Sequence, residues 1–86
     1  MMATFAERLR SLRNSKGLTQ EKLAEQIGVK RSTIAGYEAP SKEREPDFDA
    51  VSRLANYFGI STTYLLGYSN VTNPEASVGL YATQKD

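Results

Sequence analysis

The stretch over residues 18–38 constrains the fold more than any other part of the chain, and its sequence is LTQEKLAEQIGVKRSTIAGYE. Apolar residues recur at helical spacing on both sides of Gly28. Gly28 can adopt the positive φ that ends one helix and lets the chain turn within a few residues. Ala24 is small where a second helix would cross closely, and Ile34 is large enough to fill the space between the helices. The pattern therefore predicts two short helices that pack together across a tight turn.

Capping residues indicate where the helices begin. Thr4 is followed three residues later by Glu7, which is the spacing of a capping box. Further N-caps are predicted at Thr19, Asp47 and Ser61. The helix after the glycine turn would instead be capped by Lys30, a poor capping residue. Because functional sites often break local rules, this lysine is a candidate contact at the tip of the helix. The alternative is a plain surface cation.

These starts predict five short helices, and hence an all-α, compact domain over residues 1–67. The first helix would bury an apolar stripe and turn Arg8 and Arg10 outward. The inner face of the fourth helix is predicted to hold Phe48, Val51, Leu54, Ala55 and Phe58. Residues 68–86 have few charges and no apolar period, and are assigned to a C-terminal tail. That tail is a flexible end, a dimerising segment or a linker to a further domain.

The residue types that the chain lacks exclude several kinds of chemistry. It has no cysteine and no histidine, so disulfides, thiolate metal sites and the most common general base are all missing. The sequence also lacks a glycine-rich phosphate loop. An enzyme is therefore disfavoured, and neither a cofactor nor a metal is expected. Because there is neither an apolar run of roughly 18 residues nor a signal peptide, we expect a cytoplasmic protein.

The net charge of +1 does not by itself indicate a nucleic-acid partner. The distribution of the charges is more informative, because residues 1–17 carry four cations against one acidic residue. Residues 39–59 carry three cations against four acidic residues. A molecule polarised in this way can still present a basic face to phosphate groups.

The two predicted helices around Gly28 have the spacing of a helix-turn-helix, whose second helix is free to enter the major groove of DNA. Residues 4–67 resemble the lambda-repressor-like DNA-binding domains of the Cro/C1 type, the XRE family. The matching blocks are GLTQEKLAEQIGV, STIAGYE, EPDFDAVSRLANYFGIS and YLLG. The resemblance implies a five-helix fold, dimeric binding to a palindromic operator, and usually repression of transcription. The segment YEAPSKEREPDF also resembles immunity repressors of phages and mobile elements of Gram-positive bacteria.

The resemblance implies which residues would contact the bases of DNA. The base-reading positions would be Arg31, Ser32, Ala35 and Gly36. An arginine can bind O6 and N7 of guanine bidentately. Gly36 departs from the polar or methyl-bearing residue usual in the family, and a glycine there would allow close approach to a base or a thymine methyl.

Phosphate contacts would come from Gln20, Lys30, Thr33, Tyr37, Lys42, Arg44 and Arg10, with Lys16 as a further candidate. Gln20 would also brace the recognition helix, because its amide is both donor and acceptor. Lys42 and Arg44 alternate with acidic residues, so that loop is alternatively a plain solvated segment. For Arg10 and Lys16 the alternative is likewise a solvated face. For Tyr37 it is a place in the core, and for Thr33 it is a hydroxyl that caps the helix.

Two further sets of residues are implied by the resemblance. Arg13 and Glu38 match an ion pair that ties the first helix to the end of the recognition helix, a structural role. The candidate dimer interface comprises Tyr64, Leu65, Leu66 and Tyr68.

The preferred function is that of a sequence-specific transcriptional repressor whose partners are double-stranded DNA and a second copy of the chain. The family also allows an antirepressor or a protease as a partner. The alternative is a protein-interaction module, such as an antitoxin or the partner of an antirepressor, in which contact with DNA is secondary. Fold alone does not decide between the two.

Overall fold

The computed structural model describes residues 4–39 and 45–71, and the regular structure in these ranges is helical. The five α-helices are α1 (Phe5–Ser15), α2 (Gln20–Ile27), α3 (Arg31–Glu38), α4 (Phe48–Phe58) and α5 (Thr62–Leu65). This confirms the all-α class and the five predicted helices. Lys42, Arg44 and most of the predicted tail lie outside the described residues. Within the described part of the chain, every helix is too short or too polar to cross a membrane.

The helix starts follow the predicted capping chemistry. Thr4 and Glu7 form the reciprocal capping box, with backbone-to-side-chain hydrogen bonds of 2.9 and 3.2 Å. Side-chain oxygens accept from the backbone N–H three residues later at the N-caps Thr19, Asp47 and Ser61. Each such bond satisfies an N–H group that has no partner within its helix. Gly28 has φ +77° and ends α2, which lets α3 begin after a short turn.

Each helix contributes a fully buried side chain to one core. These side chains are Leu9, Leu23, Ile34, Leu54 and Leu65. Burial of a leucine or isoleucine contributes about 1.5–3 kcal/mol relative to exposure. Ala24 is also buried, as expected for a small residue beside the crossing of α2 and α3. Because Ile34 holds one side of α3 in this core, the opposite side of the helix faces outward.

Phe48 does not belong to the inner face of α4, contrary to the sequence prediction. Its side chain is 81% exposed, whereas Val51, Leu54 and Ala55 are buried. Phe48 is the first residue of the helix, and the residues just before it are exposed or only partly buried. Helical periodicity gives the face on which a residue lies, but it does not show how far neighbouring helices extend along that face.

Arg8 also differs from the sequence prediction, because it is only 6% exposed instead of pointing outward. Its Nη1 donates to the carbonyl oxygens of Ser69 and Tyr64, at 2.7 and 3.2 Å, and its Nη2 donates to Asn70 Oδ1 at 2.7 Å. The guanidinium also lies 4.1 Å from the centre of the Tyr64 ring. These contacts replace the hydration that burial removes. They also bind the segment after α5 to α1.

Candidate nucleic-acid interface

The outward side of α3 carries polar side chains at its N-terminal end. Arg31 and Ser32 are exposed there, and Lys30 just before them is exposed as well. The opposite side is buried through Ile34, Tyr37 and Glu38. The predicted base-reading positions Arg31, Ser32, Ala35 and Gly36 are thus exposed or partly exposed.

Two cations lie where the helix dipole disfavours them. Lys30 is the N-cap of α3 but makes no side-chain capping bond, and Arg31 is the first helical residue. The first turn of α3 contains no acidic residue to offset them. Positive charge at a helix N-terminus opposes the dipole, at a cost of some 0.3–1 kcal/mol. An anion such as a DNA phosphate would relieve this unfavourable arrangement.

Gln20 connects the start of α2 to both ends of α3. Its Oε1 accepts a hydrogen bond of 3.1 Å from Arg31 Nη1. Its Nε2 donates one of 3.1 Å to Glu38 Oε1. The resemblance had implied that Gln20 braces the recognition helix, but the bond to Glu38 had not been predicted, because no local pattern relates residues 18 positions apart.

Glu38 is the buried centre of an ionic cluster. Its side chain is 2% exposed, and Arg13 binds it through Nε at 2.7 Å and Nη2 at 3.0 Å. Arg10 donates from Nη2 to the Glu38 backbone oxygen at 2.8 Å. The bidentate hydrogen bond to Glu38 raises the pKa of Arg13 above its ordinary value, despite the opposing effect of burial. Arg13 therefore remains charged at neutral pH, and the implied pair Arg13–Glu38 is formed.

Arg31 can bind a further acceptor in addition to Gln20. Among the described residues, its one hydrogen bond uses a single N–H of the five that a guanidinium carries. The remaining donors can pair with the two acceptors on the major-groove edge of guanine. Within the described ranges, no group of acidic side chains is suited to hold a metal ion.

Comparison with known proteins places the chain in a family. A family model described as helix-turn-helix matches residues 9–65. The chain belongs to this helix-turn-helix family. The resemblance to Cro/C1-type proteins is thereby confirmed, and the family is one of DNA-binding regulators, not of enzymes.

Relatives and solved structures agree with this assignment. An uncharacterized HTH-type transcriptional regulator of Bacillus subtilis, YobD, is 41% identical over 71 residues, which cover 83% of this chain and 62% of YobD. The restriction-modification controller protein C.AhdI from Aeromonas hydrophila is 38% identical, with a TM-score of 0.63 over 71% of this chain and 89% of C.AhdI. The DNA-binding domain of the P22 C2 repressor is 28% identical, with a TM-score of 0.67 over 76% of this chain and 83% of that domain. The chain spans between about half and three fifths of the length of four of the curated relatives it matches.

The remaining predicted phosphate contacts of this helix-turn-helix chain occupy different environments. Arg10 and Lys16 are exposed, although Arg10 is already bound to Glu38 and Lys16 lies 5.4 Å from the centre of the Tyr57 ring. Thr33 is partly exposed. Tyr37 is buried and packs edge-on against Phe5, with ring centres 5.8 Å apart, as the core alternative expects.

The predicted dimer interface needs one correction. Leu65 is fully buried in the core, so its side chain cannot contact a second chain. Tyr64 and Leu66 are partly buried, whereas Tyr68 is 72% exposed. Val71, which the sequence analysis did not assign to a site, is a further exposed apolar residue close to Tyr68 along the chain.

Proposed function

We propose that the chain is a sequence-specific DNA-binding transcriptional regulator that acts in the cytoplasm as a repressor. In this proposal, α3 enters the major groove of a palindromic operator, and two copies of the chain bind the two half-sites. The observation that carries the proposal is the geometry of Arg31. This arginine is exposed at the tip of α3, and its guanidinium donates one hydrogen bond to Gln20, which leaves further N–H groups to meet a base edge.

The proposed contacts divide into base readout and positioning. Arg31 and Ser32 select the sequence through base edges, and Ala35 and Gly36 allow the helix to approach closely. Gln20, Lys30 and Thr33 bind phosphates. Gln20 can do so because one N–H of its Nε2 donates to Glu38 and the other remains available. Phosphate contacts from Lys42, Arg44 and Arg10 complete the proposal.

Two chains are expected to pair because α3, the helix proposed to contact the bases, is short. One helix of eight residues can contact only a few base pairs. Two half-sites one helical turn apart multiply the specificity. We place the dimer surface at Tyr64, Leu66 and Tyr68. The repressor role is supported by the similarity to the P22 C2 repressor domain.

Genomic footprinting of the bound protein tests the proposal. We expect a small number of protected sites, each an inverted repeat whose half-sites are about 10 base pairs apart. Protection that is uniform along the genome would contradict sequence-specific binding. Failure to form any DNA complex at about 0.1 M salt, where phosphate contacts are still strong, would favour the protein-interaction module instead.

A further inference from the structure

The side-chain amide of Gln20 lies between two groups of opposite hydrogen-bonding character. Its Nε2 is 3.1 Å from Glu38 Oε1, and its Oε1 is 3.1 Å from Arg31 Nη1. An ionised carboxylate can only accept hydrogen bonds, and a guanidinium can only donate them. Only one of the two orientations of the amide satisfies both neighbours. In the flipped orientation, an oxygen would face the carboxylate and an NH₂ group would face the guanidinium.

Glu38 is well suited to fix this orientation. Its carboxylate is buried and bound by both Nε and Nη2 of Arg13, so it stays in place. In the described part of the chain, all buried side-chain polar atoms have a hydrogen-bond partner, those of Glu38 included. The hydrogen bonds of Glu38 to Arg13 and Gln20 are part-buried, whereas the bond between Gln20 and Arg31 is exposed to solvent.

We propose that Glu38 is a positioning residue for base readout, through the chain of contacts Glu38–Gln20–Arg31. Glu38 is almost fully buried and is not itself a candidate for contact with a base. It acts by orienting the Gln20 amide, and this amide holds the guanidinium of Arg31 in the conformation that meets the base. The inference rests on the proposed function. It means that the Arg13–Glu38 ion pair affects which bases the protein prefers, whereas a purely structural ion pair would affect only stability.

An exchange of the two side chains tests this inference. Glu38→Gln removes the acceptor-only group, so the amide of Gln20 is no longer fixed and Arg31 is released. Combining Glu38→Gln with Gln20→Glu puts the acceptor-only group beside Arg31 again and leaves the net charge of the protein unchanged. In selection from random DNA, we expect Glu38→Gln to lower the preference for the base read by Arg31 at least about five-fold, the lower end for a bidentate contact. We expect the exchanged pair to recover that preference.

The exchanged pair is also the matched control for folding. Both variants contain the Glu38→Gln substitution beside Arg13, so a difference in base preference between them reports on the residue at position 20 and not on the weakened ion pair. The exchanged pair should bind every sequence less tightly than the original protein, because a carboxylate at position 20 repels phosphate. Base preference that is the same in the original protein and both variants would overturn the inference.

A measurement on the unmodified protein keeps the inference testable if Glu38→Gln alone does not fold. In nuclear magnetic resonance spectra, the Nε2 protons of Gln20 should show nuclear Overhauser effects to the side chain of Glu38. Effects to the guanidinium of Arg31 in their place would overturn the inference. A complete lack of sequence preference in the unmodified protein would refute the proposed function, whereas a preference that Glu38→Gln leaves intact refutes only the role of Glu38.

Discussion

At the scale of single residues, Arg10 and Arg13 show how burial decides the contribution of a charge. Both arginines bind Glu38, but the side chain of Arg13 is mostly buried and that of Arg10 is half exposed. The Nε of Arg13 is 2.7 Å from the carboxylate, whereas the Nε of Arg10 is 3.9 Å from it. Water screens the exposed contact of Arg10, so the two arginines contribute differently to the free energy of unfolding.

We therefore expect Arg13→Met to lower the free energy of unfolding by about 3–5 kcal/mol, because it leaves the buried carboxylate of Glu38 without its main partner. Arg10→Met should lower it by at most about 1 kcal/mol, as for an exposed ion pair. Urea denaturation of the two variants measures both values. Equal losses would contradict the account of the cluster.

At the scale of helices, local contacts were predictable from the residues, whereas among distant contacts the Arg13–Glu38 pair was implied by the family resemblance and those of Arg8 were not predicted. The caps at Thr4, Thr19, Asp47 and Ser61 join residues three apart, and the identities of such near neighbours can be read directly from the chain. Arg8 instead binds residues 56 to 62 positions away. Arg8 lies three residues after Phe5 and four before Leu12, beside the apolar stripe of α1, but nothing in the sequence indicates that the segment after α5 returns to it. The outward side of α3 followed from the buried periodicity of Ile34 and Tyr37, whereas the roles of its residues came from the family resemblance.

Replacing Arg8 tests whether this arginine fastens the segment after α5. We expect Arg8→Met to lower the free energy of unfolding by about 1–3 kcal/mol, because three part-buried acceptors lose the guanidinium that donates to them. The amide of Val71, which donates to Ser69 Oγ at 3.0 Å, should then exchange with solvent faster.

Arg53→Met is the matched control, because Arg53 is an exposed arginine that also donates to a distant carbonyl, that of Ile27. It should cost at most about 1 kcal/mol and leave the exchange rate of Val71 unchanged. A loss at Arg53 as large as that at Arg8 would show that burial of Arg8 is not the cause.

At the scale of the whole molecule, exposed apolar side chains are the candidates for the proposed contact between two copies of the chain. Phe48, Tyr68 and Val71 are the large exposed apolar residues of the described ranges. Tyr68 and Val71 follow α5, close in sequence to Leu66, whereas Phe48 begins α4. Aromatic side chains contribute strongly at protein interfaces, since they bury a large area with few rotatable bonds.

If the proposed dimer surface is correct, Tyr68→Ser should weaken self-association at least about ten-fold, a loss of about 1.4 kcal/mol. Binding to a full inverted repeat should weaken with it, while the preferred bases within a half-site should not change. Sedimentation equilibrium measures the association directly. Phe48→Ser is the control, and an effect of Phe48→Ser alone would place the interface at the start of α4.

The central claim is that the outward side of α3 reads base pairs through Arg31. The most direct measurement is selection from random DNA with the original protein and with Arg31→Ala, followed by titration of the selected site. The account predicts an enriched inverted repeat for the original protein. Arg31→Ala should lose about 1–3 kcal/mol of binding free energy at that site, together with the preference at one position of each half-site. Enrichment of the same sequence, with the same preference at every position, by the protein that lacks Arg31 would contradict the claim.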